Sequence, residues 1–207
     1  MEESSSRLLF DFYQKIDERV NYLKAETGLE CPAGCGWCCE TADPEITVFE
    51  ALPLARLILM DENLSAEHDK HRRQPGRRCF FFDANRPFHC TIYAIRPLIC
   101  RAFGYAGSRD KCGNSRFASC RKMTNSGLYS IADMNSVPVF QELQYELLSV
   151  AAPEMAKLRS FNDALAEAVE REMLRARLER QDDLLDVPTD SDPVQPNKPD
   201  APCPAAA

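Results

Sequence analysis

The sequence contains few of the residues from which most hydrolytic and nucleotide-binding sites are built. Among 207 residues there are three histidines, one tryptophan and eight glycines. No Ser–His–Asp arrangement, phosphate-binding glycine loop or pair of catalytic carboxylates stands out along the chain. A hydrolase with a nucleophilic cysteine is also disfavoured, because no histidine is placed to activate a thiol. The abundant reactive residue is cysteine, with ten copies.

A hydrophobic run long enough to cross a bilayer is also missing. The longest run, ALPLARLILM, is interrupted by Arg56, and a spanning helix needs about 20 apolar residues. The first residues, MEESSSRLLFDF, are acidic and polar and do not resemble a secretory signal. We therefore expect a cytoplasmic protein without membrane contact. In that compartment clustered cysteines usually serve metal or redox chemistry and not structural disulfides.

Charge is distributed unevenly over a chain whose net charge is −7. The segment from Lys70 to Lys122 has 13 Lys or Arg and two acidic residues, while the rest has 12 basic and 30 acidic residues. This segment holds five of the cysteines, so its positive charge either stabilises thiolates or forms a solvated face against acidic helices. Aromatic residues interleave with the arginines, but such clusters are more often core, and a nucleic-acid partner is disfavoured.

Apolar residues at helical spacing predict a mostly α fold. Thr47 and Glu50 form the pattern of a capping box at the start of one helix, and Pro53 should kink that helix. The short segment around residues 85–87 favours a brief β-hairpin. The predicted helices cover residues 6–27, 47–60, 65–73, 97–103, 138–148 and 153–180.

These elements predict one helical domain over residues 1–183, packed around an irregular cysteine-rich middle whose specific motif spans 31–120. Core packing accounts for the apolar stripe of the last helix better than a dimerising coiled coil does. Residues 184–207 are rich in proline and acidic residues, which predicts a disordered tail. Cys203 lies in that tail and is not a candidate ligand.

Four cysteines fall within nine residues at the start of the middle segment, and Cys35-Gly-Trp-Cys38 forms a CxxC unit. Thiolates at this spacing are typical ligands of zinc and of iron–sulfur clusters. The alternative, that free cysteines act as small buried hydrophobes, fits one or two of them better than the whole set. The predicted metal ligands are Cys31, Cys35, Cys38, Cys39, Cys79, Cys90 and Cys100, with Cys112 and Cys120 as a second tier.

The number of ligands exceeds what one centre needs. A mononuclear site or a four-iron cluster takes four sulfurs. We expect Cys38 and Cys39 not to share one ion, because adjacent side chains diverge in helices, strands and most turns. The surplus leaves open a second centre or free thiols with a redox role.

One local resemblance is to radical S-adenosylmethionine enzymes. The string Cys31-Pro-Ala-Gly-Cys35-Gly-Trp37-Cys38 resembles their CxxxCxΦC signature, in which three cysteines hold a [4Fe–4S] cluster. Those enzymes resemble β/α barrels with the motif after a strand. Here a long predicted helix precedes the motif, and no alternation of strands and helices follows. The surroundings therefore disfavour this family.

A second resemblance covers residues 31–101. The order Cys31-x3-Cys35-x2-Cys38-Cys39, then Cys79-Phe-Phe-Phe-Asp, then Cys90-Thr-Ile-Tyr-Ala-Ile-Arg-Pro-Leu-Ile-Cys100-Arg resembles the YkgJ-type cysteine-cluster family, also called the CxxCxxCC domain. The first gap is one residue longer than that name implies. The resemblance implies a zinc- or iron-chelating domain, and in the flagellin lysine methylases that carry it an iron–sulfur cluster is implied. Most members have no assigned reaction, so whether this chain is an enzyme stays open.

Residues near Cys100 are candidates for contacts around the cofactor. A predicted helix starting at Pro97 would stabilise the Cys100 thiolate, and Arg101 would then donate to a cluster sulfur, with Arg96 and Tyr93 nearby. Alternatively, Arg96 and Arg101 only pair with acids such as Asp83 or Glu50, and Tyr93 is a packed tyrosine.

The three histidines are weak candidates, and Trp37 is expected to cover the cysteine loop. His68 and His71 belong to a polar helix and should be solvated, while His89 should point away from any centre that Cys90 serves.

We therefore expect a cytosolic protein with an iron–sulfur centre, most simply [4Fe–4S], in redox or modification chemistry. The alternatives are a structural zinc module that presents its helices to a protein partner, and a metal chaperone or thiol-redox protein.

Overall fold

The computed structural model describes residues 2–33, 35–41, 44–73, 78–86, 89–117, 119–124 and 137–185. This part of the chain forms seven α-helices and two small antiparallel sheets, which confirms the predicted mostly α class. Residues 186–207 of the predicted tail lie outside the described residues, whereas its first two residues, 184–185, belong to the last helix. The helices are α1 (Glu2–Thr27), α2 (Trp37–Thr41), α3 (Val48–Leu59), α4 (Glu62–Arg73), α5 (Leu98–Ala102), α6 (Phe140–Val150) and α7 (Phe161–Leu185).

Helix α1 buries one apolar stripe in the first of two cores. Residues at helical spacing from Leu9 to Leu23 are almost fully buried and pack with residues of α5 and α6. Burying a large aliphatic or aromatic side chain stabilises the fold by about 1.5–3 kcal/mol. The helix ends at Gly28, whose φ of +65° suits the left-handed residue that closes a helix. Helix α1 therefore forms a wall behind the segment that carries Cys100.

Helix α3 begins with the capping box that the sequence predicts. The Thr47 side chain accepts from the Glu50 amide, and the Glu50 carboxylate accepts from the Thr47 amide. Pro53 lies in the first turns and the helix continues to Leu59. One face of α3 packs against α7, and with Phe81 and Ile92 these helices form the second core.

Two short strand pairs fasten loops to the helices. Strand β1 (Glu45–Thr47) pairs with β4 (Leu158–Ser160), which holds the start of α3 beside the start of α7. Strand β2 (Ser108–Arg109) pairs with β3 (Ser115–Arg116). Strands of two or three residues are too short to leave a recognisable pattern in the sequence, so neither pair was predicted.

The hairpin predicted around residues 85–87 is reduced to one bridge in the described residues. Phe82 and Cys90 form this antiparallel bridge, flanked by turns. The bridge nevertheless brings the segment around Cys79 beside the segment of Cys90.

Helix α4 differs from expectation in one respect. His68, predicted to be solvated, is 2 % exposed and lies edge-on to Phe80, with 5.2 Å between ring centroids. The polar sequence of α4 gives no sign of this burial, because the residue that packs on His68, Phe80, lies outside the helix. None of the described helices combines the length and apolar character that crossing a bilayer requires.

Candidate metal centre

The loop before α2 wraps tightly enough to bring its cysteines together. The Cys35 amide donates to the Pro32 carbonyl at 3.1 Å, and the Cys39 amide donates to the Gly36 carbonyl at 2.9 Å. Gly36 has a φ of +37°, and a Cβ at this position would lie 2.4 Å from His89 Nδ1. Only glycine allows this turn and this close approach of the histidine.

Backbone contacts bring the later cysteines to the same place. The Cys79 amide donates to the Cys39 carbonyl at 3.0 Å, and Cys90 follows through its bridge to Phe82. Cys100 lies on α5, which packs against α1.

Cys120 reaches the site from a loop that follows residues 31–101, the stretch of the family resemblance. The Thr124 amide donates to the Glu30 carbonyl at 2.9 Å, which fixes this loop beside the first cysteine segment. Gly104 has a φ of +76° and lies beside Cys120. A Cβ at position 104 would lie 3.1 Å from Cys120 Cβ, so the absence of a side chain there leaves room for Cys120.

These thiols surround a cavity of about 280 Å³, called the cysteine cavity below. Cysteines from distant parts of the chain therefore line one cavity. The cysteines that line it are Cys31, Cys35, Cys38, Cys39, Cys79, Cys90, Cys100 and Cys120. Cys112, the other second-tier residue, is exposed in the turn between β2 and β3 and is not among them.

The neighbouring thiols of Cys38 and Cys39 contact each other, with 3.9 Å between their Sγ atoms. The expectation that the two side chains diverge is therefore wrong. At the first turn of a short helix the two side chains converge. The hydrogen bond from Cys39 lowers the pKa of Cys38 to about 6, and the same contact raises the pKa of Cys39.

Burial and the charges of neighbouring thiols favour the protonated forms of Cys31, Cys90 and Cys100 when no metal ion is bound. Burial raises the pKa of Cys90 and, more strongly, that of Cys100. Burial, followed by the charge of Cys35, raises the pKa of Cys31 to about 11. Binding a metal here would require these thiols to release protons, as thiolate ligation does in general.

The thiols fall into two neighbourhoods that share Cys38. Cys39 and Cys100 both lie within electrostatic reach of Cys38 and Cys79. Cys31 lies within reach of Cys35, Cys38 and Cys120.

Residues 30–125, a little under half of the chain, match a family model described as "CxxCxxCC: putative zinc- or iron-chelating domain". This segment is similar to the CxxCxxCC domain. The match includes every cysteine of the cavity, so metal binding is the function that the family supports. No curated protein and no solved structure matches the chain significantly.

The donor set of the CxxCxxCC domain fits a thiophilic metal. Thiolates are soft ligands that suit zinc and iron–sulfur clusters. Among the described residues, no three His, Cys, Asp or Glu side chains are already arranged around a point that could hold one ion. The thiols thus line a cavity, but no three of the described donor groups are close enough together to coordinate one ion.

Arg101 lines the cavity of this domain and acts as a clamp on the backbone. Its guanidinium is 4 % exposed and pairs with Asp17 of α1. Its Nε and Nη2 atoms donate to the carbonyls of Arg96 and Ala94 at 2.7 and 2.5 Å. These contacts fix the turn before α5. Donation from Arg101 to a cluster sulfur stays a prediction.

Two further cations lie over aromatic rings at the edge of the cavity. Arg96 Cζ lies 3.9 Å from the ring centroid of Tyr93, which is 38 % exposed and not part of the core. Lys24 Nζ lies 5.1 Å from the ring centroid of Tyr105. The Tyr105 hydroxyl accepts a hydrogen bond from the Cys31 amide, and burial raises its pKa to about 12. Sequence reasoning missed Lys24 and Tyr105, because no local pattern links α1 to residue 105.

Glu50 connects the domain to the first core. Its carboxylate is 3 % exposed and accepts hydrogen bonds from the Leu98 amide at 2.8 Å and from the Tyr13 hydroxyl at 3.4 Å. Burial raises the pKa of Glu50, although the hydrogen bonds from Thr47 and Leu98 oppose this. Through the Leu98 amide, Glu50 positions the first turn of the helix that carries Cys100.

The remaining candidates lie around the domain. Trp37 lines the cysteine cavity, in the position expected of a cover. The three histidines are not among its described lining residues. His89 packs on Gly36 and lies edge-on to Phe82, with 5.2 Å between ring centroids.

A second cavity, of about 640 Å³, adjoins the cysteine cavity, shares Phe103 and Phe161 with it, and is called the apolar cavity below. It shares four cysteines with the cysteine cavity: Cys38, Cys39, Cys79 and Cys100. These four side chains form a common wall, called the sulfur wall.

Proposed function

We propose that the CxxCxxCC domain of this chain holds an iron–sulfur centre of the [4Fe–4S] type in the cysteine cavity. The observation that carries the proposal is the convergence of eight thiols from separate parts of the chain on one cavity. The chemistry that such a centre supplies is electron transfer, in support of a redox or modification reaction in the cytosol.

The number and spread of the donors favour a cluster over a single ion. The cavity offers eight thiols where four suffice. Among the described residues, no three donor groups meet around one point. A four-iron cluster distributes its thiolates over separate irons, so its ligands lie further apart than those of one ion.

The charges at the edge of the cavity also suit an anionic centre. Lys24, Arg96 and Arg101 are among the lining residues. Positive charge beside thiolates stabilises them and offsets the charge of a thiolate-ligated cluster.

We propose that the sulfur wall supplies the first ligands, because Cys39 and Cys100 each interact electrostatically with Cys38 and Cys79. Cys31, Cys35, Cys90 and the second-tier Cys120 are the further candidates, and they suffice for a second centre. Cys112 is left out of the proposed ligand set, because its thiol is exposed away from the cavity.

One distance favours a structural zinc site as the second candidate. Two thiolates on the same tetrahedral zinc lie about 3.8 Å apart, given Zn–S bonds of about 2.3 Å. The Sγ atoms of Cys38 and Cys39 lie 3.9 Å apart. These two cysteines are therefore suited to one shared ion, for which two further thiols would have to move closer.

Anaerobic purification of the full chain separates the two candidates. We expect a brown protein with iron and acid-labile sulfide in equal amounts and a broad absorption band near the visible range. A colourless protein that retains zinc and contains no sulfide would overturn the iron–sulfur proposal in favour of the zinc module. A chain that binds neither metal through its cysteines would end both.

A further inference from the structure

We propose that the apolar cavity binds a small uncharged molecule with an aromatic or branched aliphatic body, held directly against the sulfur wall. The cavity has about 640 Å³, within the range of about 300–1,000 Å³ that is typical of small-molecule sites. The binding site goes beyond the proposed function, since it does not depend on which metal the cysteines hold.

The walls of this cavity determine the kind of molecule that fits. Its lining includes three aromatic rings, from the end of α5 and the starts of α6 and α7, and aliphatic side chains from α5 and β4. Such walls favour a flat or branched apolar body, because burying it removes apolar surface from water on both sides. The apolar lining residues are Pro44, Ile99, Phe103, Phe140, Leu158 and Phe161.

The polar groups argue against a charged ligand. Apart from the cysteines of the sulfur wall, Glu45 is the one described lining residue of the apolar cavity with a charged side chain, and it is exposed. An ion buried among these apolar walls without a partner would lose hydration that nothing replaces. Gln144 and Ser160 offer an amide and a hydroxyl, which suit one neutral polar group on the ligand.

The contrast with the cysteine cavity supports a division of roles across the sulfur wall. The cysteine cavity has basic groups and most of the thiols, while the apolar cavity has none of those bases and only the four shared thiols. A ligand in the apolar cavity therefore lies against Cys38, Cys39, Cys79 and Cys100, on a side of the sulfur wall that the other thiols do not line. It would exclude water from that side, and the apolar surroundings of a metal centre govern its solvent access and dielectric environment.

Equilibrium dialysis of the metal-loaded full chain against 2-naphthol tests the proposal. The probe has two fused rings and one hydroxyl, and 2-naphthoate is its charged counterpart. We expect saturable binding of one 2-naphthol per chain and at least tenfold weaker binding of 2-naphthoate. Non-saturable uptake, or equal binding of both probes, would overturn the proposal.

A matched pair of substitutions locates the binding. Leu158→Trp fills the apolar cavity, whereas Leu59→Trp places the same bulk at a leucine that is equally 36 % exposed but lies at the end of α3, outside its lining. We expect Leu158→Trp to weaken 2-naphthol binding at least tenfold and Leu59→Trp to leave it unchanged. Gln144→Trp, on α6, fills the cavity from another wall and should repeat the loss if Leu158→Trp does not fold. Equal binding by the filled variants and Leu59→Trp contradicts the site.

Metal analysis of the same samples keeps this proposal separate from the previous one. A colourless zinc protein that binds 2-naphthol refutes the iron–sulfur centre and supports the apolar site. If metal loading abolishes 2-naphthol binding, the metal itself occupies the apolar cavity and the proposed ligand site is wrong.

Discussion

At the scale of single residues, substitutions in the sulfur wall test the ligand assignment most directly. Cys38 and Cys39 are adjacent in the chain, and their Sγ atoms contact each other. Cys100 reaches the same sulfur wall from α5. We expect Cys39→Ser and Cys100→Ser each to reduce the metal bound per chain at least tenfold, because each removes a proposed thiolate ligand. Metal analysis of the purified variants measures this. Cys112→Ser is the matched control and should keep its full metal, since Cys112 is exposed outside the cavity.

His68 predicts a pH dependence of stability. Burial lowers the pKa of His68 below its ordinary 6.5, and the charge of Arg72 acts in the same direction. The unfolded chain therefore takes up this proton first as the pH falls. The stability that comes from holding His68 neutral is complete well above pH 6.5 and is lost as the pH falls through the lowered pKa.

Urea denaturation of the wild type and of His68→Phe between pH 5 and pH 8 measures this effect. The free energy of unfolding of the wild type should fall more steeply below about pH 6.5 than that of the variant, which has no proton to bind at this position. Parallel pH profiles would mean that His68 does not titrate differently in the folded chain.

At the scale of elements, Glu50 connects three helices, since its carboxylate receives hydrogen bonds from α1, from the start of α3 and from the start of α5. We expect Glu50→Ala to reduce the free energy of unfolding by about 2–4 kcal/mol, because it leaves buried backbone donors without an acceptor. Glu142→Ala removes an exposed ion pair with Arg109 and should cost less than about 1 kcal/mol. Urea titrations of both variants compare the two losses, and equal losses would contradict the role given to Glu50.

Features that depend on a local pattern could be predicted from the sequence, whereas contacts between distant residues could not. Helix α1 and the capping box of α3 were predicted because their patterns lie within one helix. The pairing of β1 with β4, the burial of His68 and the contacts of Lys24 and Tyr105 were missed, because each depends on a partner far along the chain. The cysteines were found from their residue type and spacing, whereas the contact between Cys38 and Cys39 depends on the turn that Gly36 allows.

At the scale of the whole molecule, we expect the fold of the cysteine segments to depend on the metal and the packing of α3 against α7 not to depend on it. The described cysteine segments, within residues 31–41 and 78–124, are irregular apart from short helices and strands, while α3 and α7 pack face to face. We expect removal of the metal to increase amide hydrogen exchange at least about tenfold in the cysteine segments. The amides of α3 and α7 should keep most of their protection. Mass spectrometry of exchange before and after anaerobic chelation measures this, and a uniform loss over the whole chain would contradict the division.

The pairing of Thr47 with Leu158 has a consequence for synthesis on the ribosome. At elongation rates of roughly 5–20 residues per second, β1 and the inner face of α3 wait roughly 5–20 s for β4 and α7 to be translated. During that interval the cysteine segments have already emerged, while the apolar side of α3 is uncovered. Metal can therefore bind before the second core forms. At that stage the apolar side of α3 is exposed on the nascent chain, and exposed apolar surface is what chaperones bind.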